Sequence, residues 1–354
     1  MIIYKYKMVL TIKVLQKQGI EVKGLFKRKR LYEDSYLPKK EGNHIYLPIR
    51  SKKIDNFVQE LKTITSDYSF IELKLRENNR TRSFRRELQK ILPRDIFNSA
   101  SRAYEQIGDI GIITIFPQME KYEKQIAKAL METNKGIRLV LKKISKYSGK
   151  KRIQEYEVLA GSGTTETTHI ENGVKINLNV KEVYFSGRTA NERKRICSLI
   201  RNPEIVLVLF SGCAPYPLAI SKNTPAKEVW SIEINKSGHE YGLKNISLNS
   251  LSNIHLICGD VREKIKSLNK SFDRIIMPHP TEADYFLEDA LSVLNKKGVV
   301  HMYLFSKPEK VNFVKNKIKQ ISEKKGYCVR RIDVVEQLHV SSEVKKYCFD
   351  IYYK

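Results

Sequence analysis

Glu204–Ile220 reads EIVLVLFSGCAPYPLAI. From Ile205 to Phe210 every residue is apolar, without alternation, as a strand buried on both faces requires. Ser211, Gly212 and Ala214 then keep the chain small, and Pro215 suits the first turn of a helix. A strand, a tight small-residue turn and a helix form the opening unit of a parallel sheet whose backbone can approach a ligand closely. Ala214 departs from a full GxGxxG pattern, so the turn alone is a weak signal and serves equally well as a plain turn.

Towards the C-terminus the unit repeats. EVWSIEIN, NIHLICGD, FDRIIMP and GVVHMYLFS are further apolar strands separated by helical stretches. CVRRIDVVEQLHV and KKYCFDIYYK close the chain as two strands joined by a short polar turn. Five βα repeats and a terminal hairpin predict an α/β domain over residues 181–354, with a doubly wound, Rossmann-like seven-stranded sheet of the class I methyltransferase kind. Ligands of such sheets sit beyond the C-terminal ends of the strands.

Towards the N-terminus two smaller α+β domains are expected. Over residues 81–180, YEQIGDIGIITI, GIRLVLKKIS, GKKRIQEYEVLAG and TETTHIENGVKINLNV read as strands, and PQMEKYEKQIAKALMET as an amphipathic helix. Over residues 1–80, TIKVL, IYLPI and FIELKL alternate as half-buried strands do, FKRKR and RSKK are basic, and RENNRTRSFRRELQK is a polar linker entering a helix. The strand pattern starts after Met8, so Met1 and Met8 are both possible starts.

Lys and Arg number 65 against 39 Asp and Glu, a net charge of +26 in 354 residues. Such an excess concentrates polyanions at the surface, and nucleic acid is the leading partner. A membrane surface ranks behind it, because no long basic amphipathic helix stands out. The five cysteines are far apart with no CxxC or CxxH spacing, which argues against a zinc site or disulfide framework and for core thiols in a reducing cytoplasm. Lysines interrupt the N-terminal MIIYKYKMVLTIKV too often for a signal peptide, and no apolar run is long enough to span a membrane. A cytoplasmic monomer without metal is expected.

Glu233 ends the second strand, where an acid can accept hydrogen bonds from both ribose hydroxyls of an adenosine; Asp260 ends the third, where a carboxylate can receive the adenine amino group. Either one alone could simply cap a helix. Loop, acid and acid at three successive strand ends are better explained by adenosine. The incomplete glycine fingerprint and terminal hairpin favour S-adenosylmethionine over a dinucleotide.

In that setting the sequence resembles the archaeal and eukaryotic tRNA (guanine-37 N1) methyltransferases over nearly its whole length. IGDIGII, EYEVLAGSGTTETTHIENG, VYFSGRTANERKRI, FSGCAPYPLAI, SIEINK, GDVRE and DRIIMPHP carry the resemblance, in that order. It implies a first domain that recognises the outer corner of tRNA, and a catalytic unit that acts on position 37 of the anticodon loop with S-adenosylmethionine. By position it implies that Arg152 faces the guanine and that Glu192 is the general base, with ligand contacts at Arg193, Phe210, Glu233, Ile234, Asp260, Val261 and Pro278. The chemistry suits both catalytic roles: a placed carboxylate removes the weakly acidic N1 proton, and a guanidinium stabilises charge developing on O6. Without the resemblance, Arg152 reads as a surface cation and Glu192 as a helix-start charge.

Two departures stand out. Val208 replaces an aspartate late in the first strand, and Pro278-His279-Pro280 replaces Asn-Leu-Pro at the end of the fourth. A proline offers a flat apolar ring in place of amide hydrogen bonds, so Pro278 is expected to widen the nucleobase pocket, with His279 as filler. That substitution resembles the archaeal bifunctional branch, which also methylates C7 of 4-demethylwyosine at the same position. Two alternatives are a wybutosine-pathway aminocarboxypropyl transferase and a tRNA-binding module without catalysis.

Overall fold

The computed structural model describes residues 6–76, 83–99, 104–145, 154–281, 283–339 and 343–354. By internal contacts the chain divides into two compact units, Met1–Phe97 and Asn98–Lys354.

In the first unit, β1 (Tyr6–Leu15), α1 (Gly19–Arg28), β2 (Lys39–Glu41), β3 (His44–Pro48), α2 (Val58–Ile64) and β4 (Ser69–Arg76) build an antiparallel sheet of order β2-β3-β1-β4. Ile12 and Val14, two apart on β1, turn one face onto Val22, Leu25 and Phe26 of α1. The close approach of α1 to β3 needs a glycine, since a Cβ on Gly19 would lie 2.8 Å from the Ile45 side chain. Ser83 caps α3 (Phe84–Ile91) by accepting from Arg86 N–H, and α4 (Arg94–Ser99) follows.

The second unit opens with β5 (Glu105–Ile107), β6 (Ile110–Ile113), α5 (Glu123–Thr133), β7 (Leu139–Lys143) and β8 (Tyr156–Gly161), a mixed sheet in chain order. A hairpin of β9 (Glu166–Glu171) and β10 (Val174–Asn179) turns on Asn172-Gly173, both at positive φ (47° and 76°), as a type I′ turn demands. After α6 (Ala190–Leu199) come β11 (Ile205–Leu209), α7 (Pro215–Asn223), β12 (Glu228–Glu233), α8 (Lys236–Leu248), β13 (Ile254–Cys258) and α9 (Val261–Lys264). Then follow β14 (Phe272–Met277), α10 (Leu287–Ser292), β15 (Leu294–Ser306), α11 (Val311–Lys324), β16 (Val329–His339) and β17 (Lys345–Tyr353).

These seven strands form one Rossmann-like sheet of order β13-β12-β11-β14-β15-β17-β16, with β17 antiparallel to both neighbours. The fold expected for the C-terminal part is the fold observed. Alternate residues serve opposite cores: Val206, Val208, Ile276 and Tyr303 on one face, Leu207, Leu209, Ile275 and Met277 on the other. Val208 is fully buried among apolar neighbours. β12 and β14 flank β11, so the strand order reverses there and a crevice opens beyond the strand ends.

The edge of β10 is completed by a helix. Asn245 on α8 and Asn249, which caps the C-terminal end of that helix, each pair a side-chain amide with a β10 peptide: Asn177 N–H and C=O for the first (2.7 and 2.9 Å), Lys175 N–H and C=O for the second (2.8 and 2.7 Å). Among the described residues, no helix is long and apolar enough to cross a membrane.

Candidate active site

Beyond the C-terminal ends of β11, β12 and β14 lies a cavity of about 560 Å³. Its loop after β11 is tightly wound: Phe210, Gly212 and Ala214 all have positive φ (57°, 55° and 68°). For the two non-glycine residues that conformation costs about 1–2 kcal/mol each. Glu233 holds the loop in place. Its Oε2 accepts from Gly212 N–H (2.6 Å) and its Oε1 from Asn235 N–H (2.7 Å), which ties the turn to the end of β12. Burial pushes this carboxyl above its ordinary range, although the backbone donors pull the other way. Gly238 on α8 abuts Gly212, and a Cβ there would sit 3.3 Å from that residue's carbonyl.

Around the loop, the Phe210 ring meets Phe286 edge-on at 5.0 Å and His279 at 5.3 Å, and Arg262 lies over Phe286. Asp260 caps α9 by accepting from Arg262 N–H (2.9 Å) and also lines the cavity. Pro278 and His279 form part of the wall, with His279 Nδ1 3.1 Å from the Thr281 hydroxyl.

Every ligand-side residue named from the sequence lines this one cavity: Arg193, Phe210, Glu233, Ile234, Asp260, Val261 and Pro278. Arg193, however, is already engaged. Its Nε and Nη2 hold Glu171 of β9, Nη2 also donates to Ser186 C=O (3.0 Å), and Nη1 donates to Thr189 Oγ1 (2.6 Å). Four of its five N–H donors are thereby used. Burial would raise Glu171, but the His169 and Arg193 partners outweigh it and hold that carboxylate low.

Glu192 does not line the cavity. It is buried in the first turn of α6, where Arg195, one turn on, donates to both oxygens at 2.7 Å. Tyr303 of β15 donates to Oε1 at 2.5 Å, and Tyr216 donates to Tyr303 at 3.2 Å. Tyr216 does line the cavity, so Glu192 stands two hydroxyls behind its wall. Arg152 lies outside the described residues.

Behind Glu192 the polar chain continues. Arg195 Nη1 donates to Asp350 (2.6 Å), Asp350 meets His301 Nδ1 (2.5 Å), and His301 Nε2 meets Arg274 (2.6 Å), which pairs with Glu204 (2.6 Å). A guanidinium can only donate, so His301 Nε2 accepts and its proton sits on Nδ1, directed at Asp350. His301, Cys348 and Asp350 bring three ligand-type atoms within 4.8 Å of one another. Their surroundings do not suit a cation: both histidine nitrogens are engaged, two guanidiniums are in contact with the cluster, and burial keeps the Cys348 thiol protonated.

Sequence reasoning missed Tyr216, Phe286 and Lys346, which line the cavity from α7, the turn before α10, and β17. Nothing local marks them, because they converge only through the strand order. Tyr184-Phe185-Ser186 also line it, and there a signal existed: the run VYFSGR sits directly before α6.

Comparison with known proteins gives a consistent picture. Residues 167–330 match the TRM5/TYW2 methyltransferase domain, and residues 84–164 match the TYW2 N-terminal domain. The tRNA (guanine(37)-N(1))-methyltransferase Trm5b of Pyrococcus abyssi is 33% identical over 298 residues, covering 84% of each chain. The tRNA (guanine(37)-N(1))/4-demethylwyosine(37)-methyltransferase Taw22 of Nanoarchaeum equitans is 28% identical, covering 70% of this chain and 94% of its own. Among solved structures, Trm5b from Pyrococcus abyssi superposes with a TM-score of 0.72 at 29% identity, over 98% of this chain and 100% of that one, and a complex of aTrm5 with tRNALeu superposes with a TM-score of 0.68 at 26% identity over the same shares.

Proposed function

The chain belongs to the TRM5/TYW2 methyltransferase family, and from that premise we propose that it methylates N1 of guanosine at position 37 of tRNA, using S-adenosylmethionine. The observation that carries the reading is the convergence of the small-residue loop, Glu233, Asp260 and two aromatic rings on one cavity at the sheet's switch point. The residues suit the cofactor. Glu233 offers a buried carboxylate with lone pairs left over after its two backbone bonds, Asp260 offers another at the rim, and Phe210 and Phe286 supply apolar walls for a purine.

When bound, S-adenosylmethionine supplies an electrophilic methyl group on its sulfonium. The protein's part is to hold the extruded purine in contact with that group and to take its proton. Glu192 is the proposed base. Because Glu192 stands behind the cavity wall, the proton is proposed to reach its Oε1 by way of the two hydroxyls in between, N1 giving its proton to Tyr216 as Tyr216 gives its own to Tyr303 and Tyr303 gives its own to Glu192. Arg152 is proposed to stabilise negative charge growing on O6. The net charge of +26 supports tRNA as the polyanion, with the first domain (residues 1–80) at its outer corner and the second (residues 81–180) at the anticodon arm. No metal step enters this scheme, and a cytoplasmic monomer is part of it.

Pro278 in the cavity wall supports a second activity, methylation of C7 of 4-demethylwyosine, whose tricyclic base needs more room than guanine. Nucleoside mass spectrometry of tRNA treated with enzyme and S-adenosylmethionine tests both, with unmodified and demethylwyosine-containing substrates. A methyl increment on each supports the full reading. An aminocarboxypropyl increment would replace it with the rival transferase, and cofactor binding without turnover would leave a tRNA-binding module.

A further inference from the structure

The geometry points to Arg195 and Asp350 as positioning residues that hold Glu192 for proton abstraction. Neither residue lines the cavity, so neither is in place to touch substrate or cofactor. The inference rests on the proposed base role of Glu192.

Glu192 lies in the first turn of α6, and a glutamate on one helix turn can adopt several rotamers. Arg195 removes that freedom by gripping both oxygens from the next turn. An i,i+3 pair alone would let the two side chains swing together, because both stand on the same short helix. Asp350 prevents this. It comes from β17, 155 residues away in sequence, and accepts from Arg195 Nη1 (2.6 Å) and Nη2 (3.3 Å). Arg195 therefore bridges two carboxylates, one movable and one fixed to the central sheet.

Asp350 is itself immobilised. It is 2% exposed, meets His301 Nδ1–H at 2.5 Å, and receives the Cys348 thiol at 3.1 Å. His301 is in turn held by Arg274, which is anchored on Glu204 and on Leu199 C=O (3.2 Å) at the end of α6. The chain thus leaves α6 at Glu192, crosses β17, β15 and β14, and returns to α6 at Leu199. This closed loop ties both ends of the helix to the sheet. A structural network would need only to satisfy its own charges. This one terminates on a carboxylate whose other contact is a single exchangeable hydroxyl, Tyr303.

The test is a set of single-turnover methyl-transfer measurements at saturating tRNA and S-adenosylmethionine, on the full chain. Asp350→Asn and Arg195→Lys are each made alone and in a Glu192→Gln background. Each single variant is expected to lose about 10- to 100-fold in the methyl-transfer rate constant, the scale of a displaced catalytic group. Calorimetric affinity for S-adenosylmethionine should stay within about twofold, because the cavity lining is untouched. In the Glu192→Gln background the same changes should cost nothing further.

Equal losses in both backgrounds would overturn the inference, since the residues would then act on folding rather than through Glu192. A wild-type rate for Glu192→Gln would overturn the base role itself, and the inference with it. Should Asp350→Asn not fold, Arg195→Lys and its restoration relative to Arg195→Ala decide the matter. Arg195 is a quarter exposed, and the lysine keeps a positive charge between the two buried carboxylates. A lysine that restores charge without restoring rate would show that the two-pronged grip matters, as inferred.

Discussion

Glu233→Gln removes one charge and almost no volume, and the structure says why it should still hurt. The two bonds Glu233 accepts come from different donors on different oxygens: Gly212 N–H on Oε2 and Asn235 N–H on Oε1. Glutamine has one acceptor oxygen, so in either rotamer its NH2 group faces a backbone N–H. Leaving one buried donor unpaired costs about 1–3 kcal/mol. The donors belong to the turn that carries Phe210, Ser211 and Gly212 into the cavity, so the turn must loosen for the clash to be relieved. If binding requires the turn in its present form, affinity for S-adenosylmethionine should fall about 5- to 140-fold, the same energy expressed as a binding constant. Titration calorimetry with the cofactor reads this directly, and tRNA affinity measured without cofactor serves as the control. A dissociation constant within about twofold of wild type would refute the claim that Glu233 organises the loop.

Pro278→Asn should favour guanosine over 4-demethylwyosine in paired single-turnover assays, and equal effects on both would remove Pro278 from the specificity argument. Burial alone would raise the Asp350 carboxyl, but His301 and Arg195 outweigh it and hold it far below the usual range. Asp350 therefore contributes stability that is complete above its unfolded value near ~3.9 and is lost as pH falls through and below that point. Asp350→Asn should flatten that part of the acid limb in urea titrations made at stepped pH. Cys258 and Cys328 are exposed and should react quickly with a thiol reagent in the native protein. Cys197 and Cys213 are buried and pushed up to about 11 and about 12, so they should react only after unfolding, as should Cys348.

The sheet was legible because its strands are buried on both faces and leave long apolar runs, as at Ile205–Phe210. Strands without that signature were not. β2, Lys39-Lys40-Glu41, is wholly exposed and exists only because β3 pairs with it. β15 starts at Leu294, four residues ahead of the apolar run, because Phe272 pairs with Leu294 across an irregular register. The acids at strand ends could be read because the fold dictates what a strand end faces. Whether Glu192 faces the cavity or the interior could not, since α6 presents Glu192 to Arg195 and Tyr303 and the next residue, Arg193, to Glu171. That choice is made by β9, β15 and β17, all distant in sequence.

A hairpin of two strands has too few neighbours to persist in water by itself. Asn245 and Asn249 answer this with two side-chain amides that stand in for a third strand along β10. The substitute is contributed from some seventy positions downstream, so this border of β10 stays open until α8 has been synthesised and has docked. Any truncated version that stops before α8 should leave the Lys175 and Asn177 peptides unpaired along that border. The same cap shields an otherwise open strand border from recruiting a foreign chain, which matters most for a nascent polypeptide still waiting for its own helix.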